Sequence, residues 1–199
     1  MTRMKPILAA IVSVLLALSM VMETANAARF YNFDTNQFEE RSASTATGKV
    51  RGSSIPREVV AYTTDLRPGT VIVETSERRL YFVLPDGQAI RYGIGVGRDG
   101  FRWSGRHRVT RKAEWPGWTP PPAMRRRIPD LPAYMPGGPD NPLGARAIYI
   151  GSTLYRLHGT SEPWTIGQAV SSGCIRLVNE DIIDLYERVK IGATVVVRL

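Results

Sequence analysis

Nine of the fourteen prolines of this 199-residue chain fall between Trp115 and Pro142, in company with Trp115, Trp118, Tyr134 and Gly137-Gly138. Proline fixes φ and lacks an amide hydrogen, so the stretch excludes a long helix or a central strand and leaves room for at most one short helix, around Ala123 to Arg127. The domain must therefore be built from short elements on either side of a long structured loop. Loops of that length in a compact domain usually carry function, and two readings are open here: a wall or lid of a cleft, or a rigid cover over the core.

The flanking sequence supplies those elements. Thr70 to Thr75, Arg79 to Leu84 and Gln88 to Gly95 are β-branched and aromatic runs, and the second and third are separated by the turn signal Pro85-Asp86-Gly87. This spacing predicts antiparallel strands. His107 to Ala113 is a further strand candidate, and Ala147 to Gly151 and Leu154 to His158 read as two strands across a Gly-Ser-Thr turn, placing His158 at a strand end. Asn179 is expected to cap a helix from Glu180 to Val189, with Ile182, Ile183, Tyr186 and Val189 facing inward and Gly192 beyond its end. The apolar run in Thr194 to Leu199 marks a central closing strand. The glycines between Gly93 and Gly100 neither open a helix nor have the spacing of a nucleotide-binding fingerprint.

The first residues set the compartment. Arg3 and Lys5 precede an uncharged, largely apolar run from Ile7 to Met22, followed by an A-x-A pattern ending at Ala27. That is the form of a cleavable secretory signal over residues 1–27. Residues 28–66 are expected to be an extension or linker, beginning with Phe30, Tyr31, Phe33 and Phe38 and passing into a polar tract, and residues 67–199 to be one folded domain. Removal of the signal takes the formal charge from +8 to +7, so the exported chain is basic and suited to anionic cell-wall polymers or headgroups.

An exported protein commonly pairs its cysteines, yet Cys174 has no second cysteine in the chain. It is free, intermolecular or catalytic. Its surroundings, His158 through Leu177 (HGTSEPWTIGQAVSSGCIRL), favour catalysis: a thiol with an ordinary pKa of about 8.5 needs a base near neutral pH, and His158 is a ready one. Gly173 lets the chain turn tightly before the nucleophile, so that the amides of Gly173 and Cys174 can serve a developing oxyanion. His107, between two arginines and without a motif, reads as surface or structural.

The pattern His158-Gly159-Thr160 followed by Ser171-Ser172-Gly173-Cys174-Ile175-Arg176-Leu177 strongly resembles the L,D-transpeptidase catalytic domain of the YkuD type. Gly95-Val96-Gly97-Arg98, Trp103-Ser104-Gly105, Asn141-Pro142-Leu143-Gly144 and the terminal helix and strand support the likeness. The resemblance implies a mainly β fold, a YkuD-type β-sandwich with a long proline-rich loop and a short helix near the C-terminus. It implies Cys174 as nucleophile, His158 as base, and the Gly159 carbonyl as the group orienting the imidazole. Ser172 stands where many members carry histidine. Arg176, two residues after Cys174 on a β-like segment, either binds a stem-peptide carboxylate, orients a carbonyl or makes a structural ion pair; Ser171, Ser172, Trp164 and Tyr134 complete the expected substrate-binding set.

The implied substrate is peptidoglycan. Cys174 would form a thioester with the third stem residue of a tetrapeptide, typically diaminopimelate, and release D-alanine. A second diaminopimelate amine would give a 3→3 cross-link, an amine of an outer-membrane protein would attach that protein to the wall, and water would make the chain an L,D-carboxypeptidase. The resemblance further implies a periplasmic enzyme acylated by carbapenems, with no metal, organic cofactor or nucleic-acid partner. A non-catalytic wall-binding protein is the alternative from another class.

Overall fold

The computed structural model describes residues 28–32, 37–41 and 55–199. The expected export signal and the polar tract from 42 to 54 lie outside the described residues. Two short strands, β1 (Ala28–Asn32) and β2 (Gln37–Arg41), pair antiparallel within the segment for which no strand period was expected.

The main sheet begins with β3 (Glu58–Ala61), β4 (Val71–Glu74), β5 (Arg79–Val83) and β6 (Gln88–Gly93). β3 lies inside the expected linker, yet it pairs antiparallel with β6 and forms one edge of the sheet. Its four residues are too few and too exposed to show a period, and so the sequence hides it. β4, β5 and β6 form the expected antiparallel run. Val71, Ile72 and Val73 are all fully buried because both faces of the sheet are covered here. Val71 and Val73 enter the main core with Leu80, Phe82, Ile90 and Tyr92, whereas Ile72 packs with Tyr81, Val83 and Ala89 beneath Val60, Tyr62 and Leu66.

β7 (Val96–Gly97) pairs parallel with β11 (Ala169–Ser171) and is followed by the ten-residue β8 (Gly105–Glu114), which carries the chain from one half of the main sheet to the other. Its first half pairs with the C-terminal strand β13 (Thr194–Arg198), and its second with β9 (Arg146–Ile150). The handover occurs at an irregularity between Val109 and Arg111, and Thr110 donates its hydroxyl to the Gly151 carbonyl at 3.0 Å. An extra residue of this kind bends a strand and raises its twist. The second half then continues through β10 (Arg156–His158) to β12 (Ile175–Arg176), giving nine strands in the order β12-β10-β9-β8-β13-β4-β5-β6-β3. Ile148, Ile150, Leu157 and Ile175 from this half share one core with Val71, Val73 and Leu80 from the other, so the bent sheet closes on itself as a mainly β sandwich. The sheet is mixed: β13 runs parallel to β4, and β10 parallel to β12. β13 is central, as its apolar run predicts.

The short helix α1 (Pro122–Arg127) sits within the proline-rich segment, which has a small core of its own from Trp118, Met124, Leu131 and Leu143. Asn141 braces it, donating from Nδ2 to the Met135 and Pro136 carbonyls at 3.2 and 2.8 Å and accepting from the Leu143 amide at 2.9 Å.

Helix α2 (Asn179–Arg188) corrects two expectations. Its inward residues are Ile182 and Leu185, with Val189 just beyond; Ile183 is 37 % exposed, because the helix presents Leu185 rather than Ile183 to the sheet. Asn179 is not the cap. That position belongs to Val178, and the Asn179 Oδ1 instead accepts from the backbone amides of Ala145 at 3.0 Å and Thr160 at 3.2 Å. It thereby ties the helix start to the turn after His158. Asn179→Ala orphans both amides, and chemical denaturation should show a loss of about 2–4 kcal/mol, each unsatisfied buried amide costing about 1–3 kcal/mol.

Candidate active site

Strand alternation builds the site. β10 and β12 pair with Leu157 opposite Ile175 and His158 opposite Arg176. Leu157 and Ile175 are buried in the core, so the period of two turns Arg156, His158, Cys174 and Arg176 to the other face. All four line one cavity of about 380 Å³. Its remaining wall is largely apolar: Trp118, Ala123 and Met124 come from the proline-rich segment, and Phe101, Leu154 and Tyr155 from the sheet side. The segment is thus a wall of the cleft.

His158 Nδ1 lies 2.6 Å from the Gly159 carbonyl oxygen. A carbonyl only accepts, so Nδ1 carries the proton and, in the neutral ring, Nε2 holds the free lone pair. Gly159 cannot carry a side chain, since a Cβ there would meet Asn179 Oδ1 at 2.2 Å. Burial, reinforced by the charges of Arg156 and Arg176, pulls the imidazole down from 6.5 to about 3. Burial likewise pushes the Cys174 thiol up, against the pull of Arg156 and Arg176. The resting pair is a neutral thiol and a neutral imidazole, and Cys174 Sγ lies 3.9 Å from the Leu154 carbonyl, to which it donates.

A folded-state histidine held below its unfolded value binds its proton late on acidification. Between pH 6.5 and about 3 the unfolded chain holds the extra proton, so stability contributed by neutral His158 is present above 6.5 and is lost as pH falls through that window. His158→Gln should flatten the acid limb of a Tm-against-pH curve relative to the unsubstituted protein.

The turn before Cys174 is held from three directions. Gly173 has φ +105, a conformation that disfavours side chains, and a Cβ there would meet the Tyr155 ring at 2.6 Å. Its carbonyl accepts from Trp103 Nε1 at 2.6 Å, and Trp103 stacks on Tyr155 with ring centroids 4.4 Å apart. Ser171 Oγ donates to the Cys174 carbonyl at 2.6 Å and accepts from the Gly173 amide at 3.1 Å. The Gly173 amide is therefore committed to Ser171 and does not serve as an oxyanion donor as expected. In the planar trans peptide, with the Gly173 carbonyl turned to Trp103, the Cys174 amide points to the opposite side.

The expected substrate-binding residues separate into two groups. Ser171, Ser172 and Arg176 line the cavity together with Cys174 and His158. Trp164 and Tyr134 do not. Trp164 lies in a single 3₁₀ turn, Pro163–Thr165, and Tyr134, 59 % exposed, packs its ring over Gly117. The indole in the wall is Trp118. Arg176 is taken up structurally: its Nη1 pairs with Glu162 Oε2 at 2.9 Å, with both side chains almost wholly buried. His107 is off the cavity, edge-on to Trp103 at 5.3 Å.

Sequence reasoning missed Glu162, Tyr155, Trp118 and Arg156. Arg156 was within reach, standing two before His158 on a strand and hence on its face. No spacing signal announces Glu162, whose partner lies in a different segment.

A two-stranded ledge thus brings a cysteine and a histidine into one cavity beside a proline-rich wall. The L,D-transpeptidase catalytic domain model, YkuD, matches residues 68–197, and the chain belongs to that family. It is 45 % identical over 150 residues to the Escherichia coli protein named "Probable L,D-transpeptidase ErfK/SrfK", covering 71 % of this chain and 47 % of that protein. To the Escherichia coli "Probable L,D-transpeptidase YbiS" it is 42 % identical over 135 residues, covering 63 % and 43 %. The chain thus spans about half the length of the curated relatives it matches.

Among solved structures, a Brucella melitensis protein described as a probable carnitine operon oxidoreductase is 39 % identical, with a TM-score of 0.50 over 76 % of this chain and 97 % of that one. An Enterococcus faecium L,D-transpeptidase, 16 % identical, shares the fold with a TM-score of 0.51 over 67 % of this chain and 50 % of its own. Among the described residues, no helix is long and apolar enough to cross a membrane.

Proposed function

We propose that the chain is a periplasmic peptidoglycan L,D-transpeptidase working through a thioester on Cys174. The observation that carries this reading is the shared cavity face of His158 and Cys174, with the imidazole held in one tautomer by Gly159. Cys174 Sγ attacks the carbonyl of the third stem residue, and His158 Nε2 takes the thiol proton as the S–C bond forms. The Cys174 amide receives the developing oxyanion. The C–N bond to the terminal D-alanine then breaks, and His158 returns the proton to the leaving amine. An amine of a second stem attacks the thioester, His158 takes its proton, and the released thiolate is reprotonated. The acceptor is a diaminopimelate side chain, forming a 3→3 cross-link, with an amine of an outer-membrane protein as the other acceptor of the same chemistry.

Because thiol and imidazole are both neutral at rest, proton transfer accompanies attack. The apolar wall limits water, which would otherwise hydrolyse the thioester. The test is incubation of the exported form with tetrapeptide muropeptides, followed by mass spectrometry beside Cys174→Ala. Cross-linked dimers that have lost D-alanine are the expected product. Trimmed monomers alone would make the protein a carboxypeptidase, and identical, unchanged samples would make it a non-catalytic wall-binding protein.

A further inference from the structure

We propose that Arg127, on the short helix of the proline-rich segment, and Arg156, on the strand that ends in His158, form a carboxylate-binding subsite selecting stem peptides with free over amidated carboxylates. The proposal rests on the peptidoglycan reading above and names the residues that recognise the substrate's charge.

Among the described residues three arginines line the cavity, Arg127, Arg156 and Arg176, and no aspartate or glutamate does. Arg176, the one sequence reasoning pointed to, is neutralised by buried Glu162. The other two have no acidic partner among the described residues. Arg156 spends Nε and Nη2 on the Leu154 carbonyl at 3.3 and 3.1 Å, which fixes its fork beside the ledge without cancelling its charge. The Arg127 side chain makes no hydrogen bond or ion pair among the described residues and is exposed at the cavity wall. Two uncompensated cations in a mostly apolar cleft raise the local concentration of anions, and an arginine fork matches a carboxylate in shape and charge. They come from the two sides of the cleft, so a peptide lying between them over Cys174 can engage both. Their basic neighbour Arg125 is exposed on α1 but is not part of the wall.

The test uses the full chain carrying Cys174→Ala, so that turnover does not intervene. Binding is measured for a stem tetrapeptide with free carboxylates and for the same peptide with those carboxylates converted to amides. The acid form is expected to bind at least about tenfold more tightly, the scale of one charged hydrogen bond. Arg127→Gln and Arg156→Gln should each bring the acid affinity down by about tenfold, whereas Arg125→Gln should leave the preference intact. Equal affinity for the two peptides, or a preference surviving both cavity substitutions, overturns the subsite. The same peptides given to the protein with Cys174 in place separate this from the reaction itself. Turnover of both forms at equal KM overturns the subsite and leaves the transpeptidase reading standing; selective acid binding with no turnover supports the subsite and removes the reaction.

Discussion

His158→Ala is expected to slow acylation of Cys174 by about 10²–10⁴-fold at neutral pH, the range of a lost general base. The resting pair makes the pH dependence more informative than the rate. With His158 held near 3 and the thiol raised, the unsubstituted protein has its base free and its thiol protonated across the whole neutral range, so its acylation rate should be nearly flat there. Without the imidazole, only the thiolate fraction reacts, and the rate should climb about tenfold per pH unit until it passes the raised thiol pKa. Stopped-flow acylation by a carbapenem or a stem peptide from pH 5 to 10 separates the two. A preformed thiolate–imidazolium pair would instead show a bell in the unsubstituted protein, bounded by the titration of thiol and imidazole.

Glu162→Ala carries the largest expected effect on stability. It removes the buried carboxylate paired with Arg176, whose guanidinium is held in a nearly dry site, and such a loss costs about 3–5 kcal/mol. Since Arg176 is opposite His158 in the strand pair, the damage reaches the ledge that carries Cys174. Replacing both partners, Glu162→Leu with Arg176→Met, should restore most of the stability, because a buried pair gains little over apolar groups of similar volume. Urea denaturation of the single and double variants checks this. An unchanged midpoint in Glu162→Ala would return Arg176 to the substrate-binding role that its place two after Cys174 first indicated.

The parts of the fold legible in the sequence are those with a local period. The runs at Thr70, Arg79, Gln88 and Ala147 became strands because branched and aromatic side chains recur at spacings a half-buried sheet requires, and the prolines between Trp115 and Pro142 barred any other use of that segment. What escaped depends on distant partners. β3 is a strand only because β6 offers it an edge. Asn179 looks like a helix cap by position, yet two amides from other loops claim its oxygen. The site divides in the same way. Cys174 and His158 are marked by their motif, and the period of two puts them on one face. The loss of the Gly173 amide to Ser171 and of Arg176 to Glu162 follows from hydrogen bonds across a folded turn, for which linear spacing gives no rule. Aromatic residues were the least legible: Trp118 rather than Trp164 walls the cavity, because a proline-rich segment folds around its own small core.

A peptide acyl group on Cys174 is directly visible to mass spectrometry of the intact protein during turnover of a tetrapeptide stem. The expected result is a transient mass increase equal to the stem mass less that of its terminal alanine, mapped by digestion to the peptide bearing Cys174, cleared by hydroxylamine and absent from Cys174→Ala. Product formation by Cys174→Ala, or an adduct mapping to any other side chain, would contradict it.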